Sequence, residues 1–396
     1  MRKTLVVSAG VPPRLAGVPI ILGRLLKEFP RGSYYILTSI KSTQGNVFGE
    51  RLPAAYNFVD EPRVNLEQHY SGVFSYKFIN TIFQAILRKF LPGFSALYNA
   101  FAVKREAINI IKRNPVDTIL GISDDGPFFL GAYFASRKTK LPLYVILFDL
   151  YAHNNFNFPK QLVANFMEGK IIKHASKVFV TNTKTRDYYQ KLYGVKAIVI
   201  EHPVVIPHLV EARVSRKNEV VFTGSIYWAQ RDAVVNLAKA IKFVPKSYLK
   251  LFTPVNKAQL RKMGIAGDKI SIGFGEKEEI RREQGQADIL FLPMGFKTPA
   301  PEITQTATPG KLPEYLISGV PILVHAAPDS YISEDAKKYG WGMVIDKSDP
   351  KVLATGIKRL LSDNKLRKKL VSNAFKIAKK RHNDKLIAVR FLNHFR

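Results

Sequence analysis

Residues 307–326, ATPGKLPEYLISGVPILVHA, set a lysine and a glutamate where chemistry on an anion can be supported. The pair Pro309–Gly310 precedes a helical pattern whose first turns hold Lys311, Leu312 and Glu314, and Gly319 closes it before an apolar run. Amides left free at a helix start, with an ammonium beside them, suit a phosphate. Glu314 can then accept hydrogen bonds from sugar hydroxyls near that phosphate, or it simply complements the helix dipole.

A second candidate lies where the strand pattern EVVFT ends at Gly224–Ser225. In parallel sheets ligands bind beyond the carboxyl ends of strands. Arg231, just inside the following helix, can reach a diphosphate with a forked guanidinium, or can be a solvated surface residue. Near the amino terminus Gly10 and Gly17 border a strand-to-helix loop open to an anion, without the G-x-G-x-x-G spacing of a dinucleotide fingerprint. Carboxylates end two further strand patterns: Asp149 after LYVILF, and Asp124 with Asp125 after DTILGIS. Each can accept a proton from a hydroxyl or serve as a turn or helix cap. His153 reads as a surface residue.

The elements that must position these residues alternate regularly. Apolar runs at 4–8, 34–38, 117–122, 143–148, 177–181 and 197–200 are separated by helical patterns such as 159–174 and 183–192. After the Pro- and Val-rich stretch 201–217 the rhythm restarts, with runs at 219–224, 248–253, 269–274, 287–293, 320–326 and 342–346. Continuous apolar strands alternating with helices predict α/β architecture: parallel sheets covered on both faces. Two such domains suit a chain of 396 residues.

Composition narrows the classes. Hydrophobic residues make up 46%, which excludes wholesale disorder, and the absence of cysteine excludes disulfides and thiolate metal sites. No apolar run reaches the roughly 18–20 residues of a spanning helix. The start, MRKTLVVSAGVPP, imitates a secretory signal, but Gly10 and the proline pair cut its apolar run short, so a first buried strand is expected. The chain therefore reads as cytoplasmic. Its charge of +30 calls for an acidic partner, and the excess is uneven: 351–396 holds fourteen Lys/Arg against two acids, and 63–113 holds eight against two, with nine aromatics. The C-terminal run reads as a solvated helix face. The stretch 63–113 suits either a helix in an anionic membrane interface or a buried helix pair with snorkelling ends.

The segment from TPGKLPEYLISGVPILVHA to SDNKLRKKL resembles the donor-binding half of glycosyltransferase family 4, the retaining group 1 enzymes of GT-B fold, as a divergent member. The likeness runs over about 219–382 and more loosely over the first half. It implies two Rossmann-like domains facing a cleft: 1–205 binding an acceptor, with 380–396 crossing back to pack on it, and 215–380 binding a nucleotide-diphosphate sugar, UDP- or GDP-linked. It further implies retention of configuration, and no metal or cofactor, because amides and basic side chains neutralise the diphosphate. Glu314 matches the second Glu of the family's E-x(7)-E motif, which contacts the ribose. Lys311, with its neighbours Gly310 and Leu312, matches a diphosphate-holding position, Gly224 and Ser225 the phosphate-facing turn, and Phe274 the frame of the nucleobase. Asp149 falls where members place a polar residue against the transferred sugar, and the donor phosphate itself can act as base. Two departures stand out. Thr306 replaces the first Glu, with Glu302 out of register, and the usual Arg…Lys pair is reduced to Arg231. The acceptor expected is a lipid-linked saccharide or glycan at an anionic membrane face, on the inner side of the cell membrane. A nucleotide-sugar epimerase of the same fold is the alternative. A nucleic-acid-binding protein would rest on charge alone, with no recognised module.

Overall fold

The structure is a computed structural model that describes residues 1–14, 17–40, 49–59, 96–123, 126–154, 158–210 and 217–396. Asp124, Asp125 and residues 63–95 of the basic-aromatic stretch lie outside the described residues. The chain divides into two compact units, Met1–Ile200 with Ala388–Arg396, and Glu201–Ile387.

The first unit holds a seven-stranded parallel sheet: β1 (Thr4–Val7), β2 (Tyr34–Ser39), β3 (Ala55–Val59), β4 (Thr118–Ile122), β5 (Leu143–Leu147), β6 (Lys177–Val180) and β7 (Ile198–Val199), in the order β3-β2-β1-β4-β5-β6-β7. Every residue of β1, β4 and β5 is buried, as a strand covered on both faces requires. β3 was not expected. Its sequence AYNFV buries only Val59 and lacks a continuous apolar run, because an edge strand has little to cover it. The described end of the basic-aromatic stretch is a helix over 96–113 that buries Ala96, Ala100, Val103, Ala107 and Ile110, a three-four spacing, and exposes Tyr98 and Phe101.

The segment Ala388–Arg396 completes this unit's core. Phe391 and Phe395 are fully buried; Phe395 lies 5.1 Å from Phe29 and 5.2 Å from Tyr144, and Phe391 lies 5.1 Å from Phe179, between ring centroids. The backbone N–H of Arg2 donates to the Phe395 carbonyl at 2.8 Å, and Lys177 donates to that of His394.

The second unit repeats the plan with six parallel strands: β8 (Glu219–Thr223), β9 (Tyr248–Phe252), β10 (Ile270–Gly273), β11 (Ile289–Pro293), β12 (Ile322–His325) and β13 (Gly342–Ile345), ordered β10-β9-β8-β11-β12-β13. In this order the direction of winding reverses between β8 and β11, which opens a crevice beyond their carboxyl ends. A buried ion pair braces the other edge. Arg367 donates to the Asp288 carbonyl at 2.9 Å with its guanidinium 3.7 Å from that residue's carboxylate, and the same carboxylate accepts the Glu219 N–H. Among the described residues no helix is long and apolar enough to cross a membrane.

Phe395→Ala removes a buried ring from the aromatic cluster, which costs about 3–5 kcal/mol. The loss should fall on the first unit's transition in calorimetric unfolding of the full chain.

Candidate functional site

β8 stops at Gly224 because the backbone there turns to φ +117°, a conformation that side chains oppose. The turn leaves room that Lys311 occupies. A Cβ on Gly224 would lie 3.2 Å from Lys311 Nζ and 3.3 Å from its Cε. The amine sits 3.8 Å from the centroid of the buried Phe222 ring, shielded from solvent, and has no hydrogen-bond partner among the described residues. Burial pulls its pKa down to about 7, since the cation has lost water and gained no counter-ion.

Tyr315, one turn further on, braces this pair from below. Its hydroxyl accepts the Thr223 N–H at 3.1 Å and lies 3.1 Å from Thr223 Oγ1, which also accepts from Gln284 Nε2 at 2.9 Å. Burial pushes that hydroxyl up to about 12, so it stays protonated. Neither Tyr315 nor Gln284 was singled out from the sequence; a Tyr four residues after Lys311, on one helical face, is the signal that could have found the first.

The helix carrying these residues is shorter than expected. It spans only Leu312–Leu316, with Lys311 as the residue before it, so a dipole contributes little and the lysine is the source of positive charge. Leu312 is buried, and its side chain belongs to the core; any contact with a ligand there is left to the backbone. Gly310 is exposed, with open space where a Cβ would stand. Glu314 is half-buried, its Oε1 3.5 Å from Arg281 Nη2, on a groove of about 490 Å³ also lined by Arg282, Gln284 and Ser318.

The remaining donor-half candidates sit along the same carboxyl edge. Ser225 is exposed, and Arg231 is the exposed first residue of the helix Arg231–Ala240. Phe274 follows β10 with its ring 78% exposed, as a stacking surface would be. Asp232 ties the two sides of the crevice: Oδ2 accepts the N–H groups of Phe296 and Lys297, both at 2.9 Å, just after β11. That brings the backbone of Lys297, absent from the sequence reading, to the first turn of the helix Arg231–Ala240. Thr306 is buried and bonds its own helix at the Glu302 carbonyl, 2.7 Å away.

In the first unit Asp149 lies two residues beyond the end of β5 and is half-buried, and burial pushes its carboxyl up to about 6. His153 is half-buried rather than on the surface, its Nε2 2.9 Å from the Tyr188 hydroxyl. Gly17 opens the helix Gly17–Leu26. Among the described residues no group of three or more His, Asp or Glu side chains is placed to hold a metal ion.

Residues 256–377, which include Lys311, Glu314 and Phe274, match the family model of glycosyl transferases group 1. No curated protein matches the chain by sequence. Among solved structures, HepE of Anabaena in complex with UDP-glucose is 15% identical with a TM-score of 0.66, covering 100% of this chain and 99% of its own. Sucrose-phosphate synthase of Thermosynechococcus elongatus is 12% identical with a TM-score of 0.68, covering 100% and 98%. Staphylococcus aureus TarM, in complex with fondaparinux, alpha-GlcNAc-glycerol and UDP, is 14% identical with a TM-score of 0.57, covering 73% and 58%. At these identities the likeness shows the GT-B fold.

The buried amine sets a stability prediction. The unfolded chain holds the Lys311 proton to about 10.5 and the folded chain only to about 7, so between these values the unfolded state binds more protons and stability rises with pH. Lys311→Met should therefore raise the melting temperature of the ligand-free protein at pH 7 by about 2–4 °C or more. That advantage should shrink as the pH approaches 10.

Proposed function

We propose that this chain, a glycosyltransferase with a group 1 domain on the GT-B fold, takes its sugar from a nucleotide diphosphate, with UDP the favoured nucleotide. It passes the sugar, with retention of configuration as in family 4, to a lipid-linked saccharide or glycan at the inner membrane face. The observation that carries the donor reading is Lys311: a desolvated amine without a partner, against a glycine turn, at the crevice between β8 and β11. A diphosphate supplies the charge and acceptors the amine lacks. HepE and TarM, solved with UDP, support uracil as the base.

In this reading the second unit binds the donor and the first the acceptor. Gly224 and Ser225 offer backbone to the phosphates, Arg231 adds a cation, Glu314 accepts from the ribose, and Phe274 lies against the base. Transfer breaks the bond from the anomeric carbon to the β-phosphate oxygen. The nucleoside diphosphate leaves with the electron pair, stabilised by the Lys311 ammonium. An acceptor hydroxyl oxygen bonds to that carbon, and its proton passes to Asp149. No metal or other cofactor has a part in this scheme.

The membrane reading is supported by apolar side chains exposed beside cations in the first unit. Tyr98 and Phe101 on helix 96–113, and Leu162 and Phe166 on helix Phe158–His174, all face water. Lys104 Nζ is 5.5 Å from the Phe101 ring and Lys170 Nζ 3.5 Å from the Phe166 ring. Aromatics next to lysines suit an anionic lipid surface.

Titration calorimetry with UDP and GDP tests the donor site. UDP should bind, and Lys311→Ala should weaken it about 10–100-fold. Wild-type affinity should fall about tenfold per pH unit above 7, as Lys311 loses its proton. Absence of nucleotide binding, or an unaltered Lys311→Ala, refutes the site.

Asp149→Asn should keep UDP affinity and lose about 10²–10⁴-fold in sugar transfer to lipid extracts. Wild-type turnover should rise with pH through about 6, where the carboxylate forms. Donor isomerisation without acceptor would favour the epimerase instead.

A further inference from the structure

Helix Phe158–His174 carries a carboxylate that the chemistry above does not use. Glu168 is 1% exposed, and a carboxylate so far from water persists only if other groups replace its hydration. Three donors do. Oε1 accepts the backbone N–H of Ala152 at 2.8 Å and the Tyr189 hydroxyl at 2.9 Å, and Oε2 accepts the Tyr193 hydroxyl at 2.8 Å. Both tyrosines come from the helix Thr183–Tyr193. Burial, with the Glu168 charge added, raises both hydroxyls far above their ordinary range, so they remain donors.

The clasp closes on one short segment. The Tyr189 hydroxyl accepts the N–H of Tyr151 at 3.2 Å, Glu168 takes that of Ala152, and Tyr188 meets the His153 ring at 2.9 Å. Each residue of the turn Tyr151–His153 is thus held, and the turn begins two residues after Asp149. Gly169 belongs to the same arrangement: a Cβ there would lie 3.0 Å from the Tyr193 ring, so its absence lets the ring lie against the helix.

We propose that Glu168 is a positioning residue, which acts through Tyr189 and the backbone of Tyr151 and Ala152 to hold Asp149 at its half-buried seat beyond β5. The inference rests on the reading of Asp149 in the proposed function. A group that served stability alone would need no charge here, since apolar packing supplies that at lower desolvation cost.

The test is a ¹³C-carboxyl titration of aspartate-labelled full-length protein, with the Asp149 signal assigned by its loss in Asp149→Asn. In the wild type burial should hold its midpoint up at about 6. In Glu168→Gln and in Tyr189→Phe the midpoint should fall toward the ordinary aspartate range as the carboxylate gains water. Tyr189→Phe leaves the Glu168 charge in place. A shift in Glu168→Gln alone would mark a through-space charge effect and overturn the proposal, as would no shift in either. If Glu168→Gln fails to fold, Tyr189→Phe and Tyr193→Phe decide. UDP affinity should be unchanged in every variant, and a loss of it would also count against positioning. The Asp149→Asn turnover assay is separate, so failure of the catalytic reading is distinguishable from failure of the clasp.

Discussion

An amine taken out of water with nothing to bond to would leave its position if it could. Lys311 stays because its amine is covered by the Phe222 ring and by a turn that only glycine makes without strain, and because Tyr315 pins Thr223 in front of that turn. The carboxyl edge of β8 is arranged around keeping it in place. An uncompensated cation is costly to the protein, and the same desolvation would strengthen its attraction to any anion that reached it.

The first unit handles a buried charge in the opposite manner. Glu168 has every donor it needs, so its network is rigid where the lysine's surroundings are unfulfilled. A satisfied polar cluster specifies a conformation; an unsatisfied group specifies a ligand. Asp149 lies between these extremes, raised by burial alone and able to gain or lose a proton near neutrality. The contrast sorts the three groups without appeal to any relative.

Much of this was legible in the chain itself. Twelve of the thirteen strands among the described residues follow from apolar runs, and the one that did not, Ala55–Val59, is an edge strand with polar and apolar residues mixed. The glycine turn, the lysine and the glutamate were all candidates put forward from spacing, and the structure brings Lys311 against Gly224. The short helix Leu312–Leu316 was not, because a pattern of apolar positions shows a helical face without showing where the hydrogen-bonding stops. The basic C-terminal run was legible only in part. Most of it reads correctly as a solvated face, yet Arg367 is buried against Asp288 and Arg381 pairs with Asp335, 2.8 Å away. Nothing in the run distinguishes those two arginines from their neighbours.

The sequence by itself determined the strand-and-helix rhythm, the division into two α/β units and the identity of the turn at Gly224. These follow from short-range periodicity and from backbone sterics, which act within a few residues. Tertiary structure alone decided which charged groups leave water and whether they find partners there. Desolvation depends on what distant segments cover a side chain: Phe222 and Gly224 lie almost ninety residues before the lysine they enclose. Ala152 and Tyr189 likewise converge on Glu168 from both sides in the chain, and that convergence has no local signature.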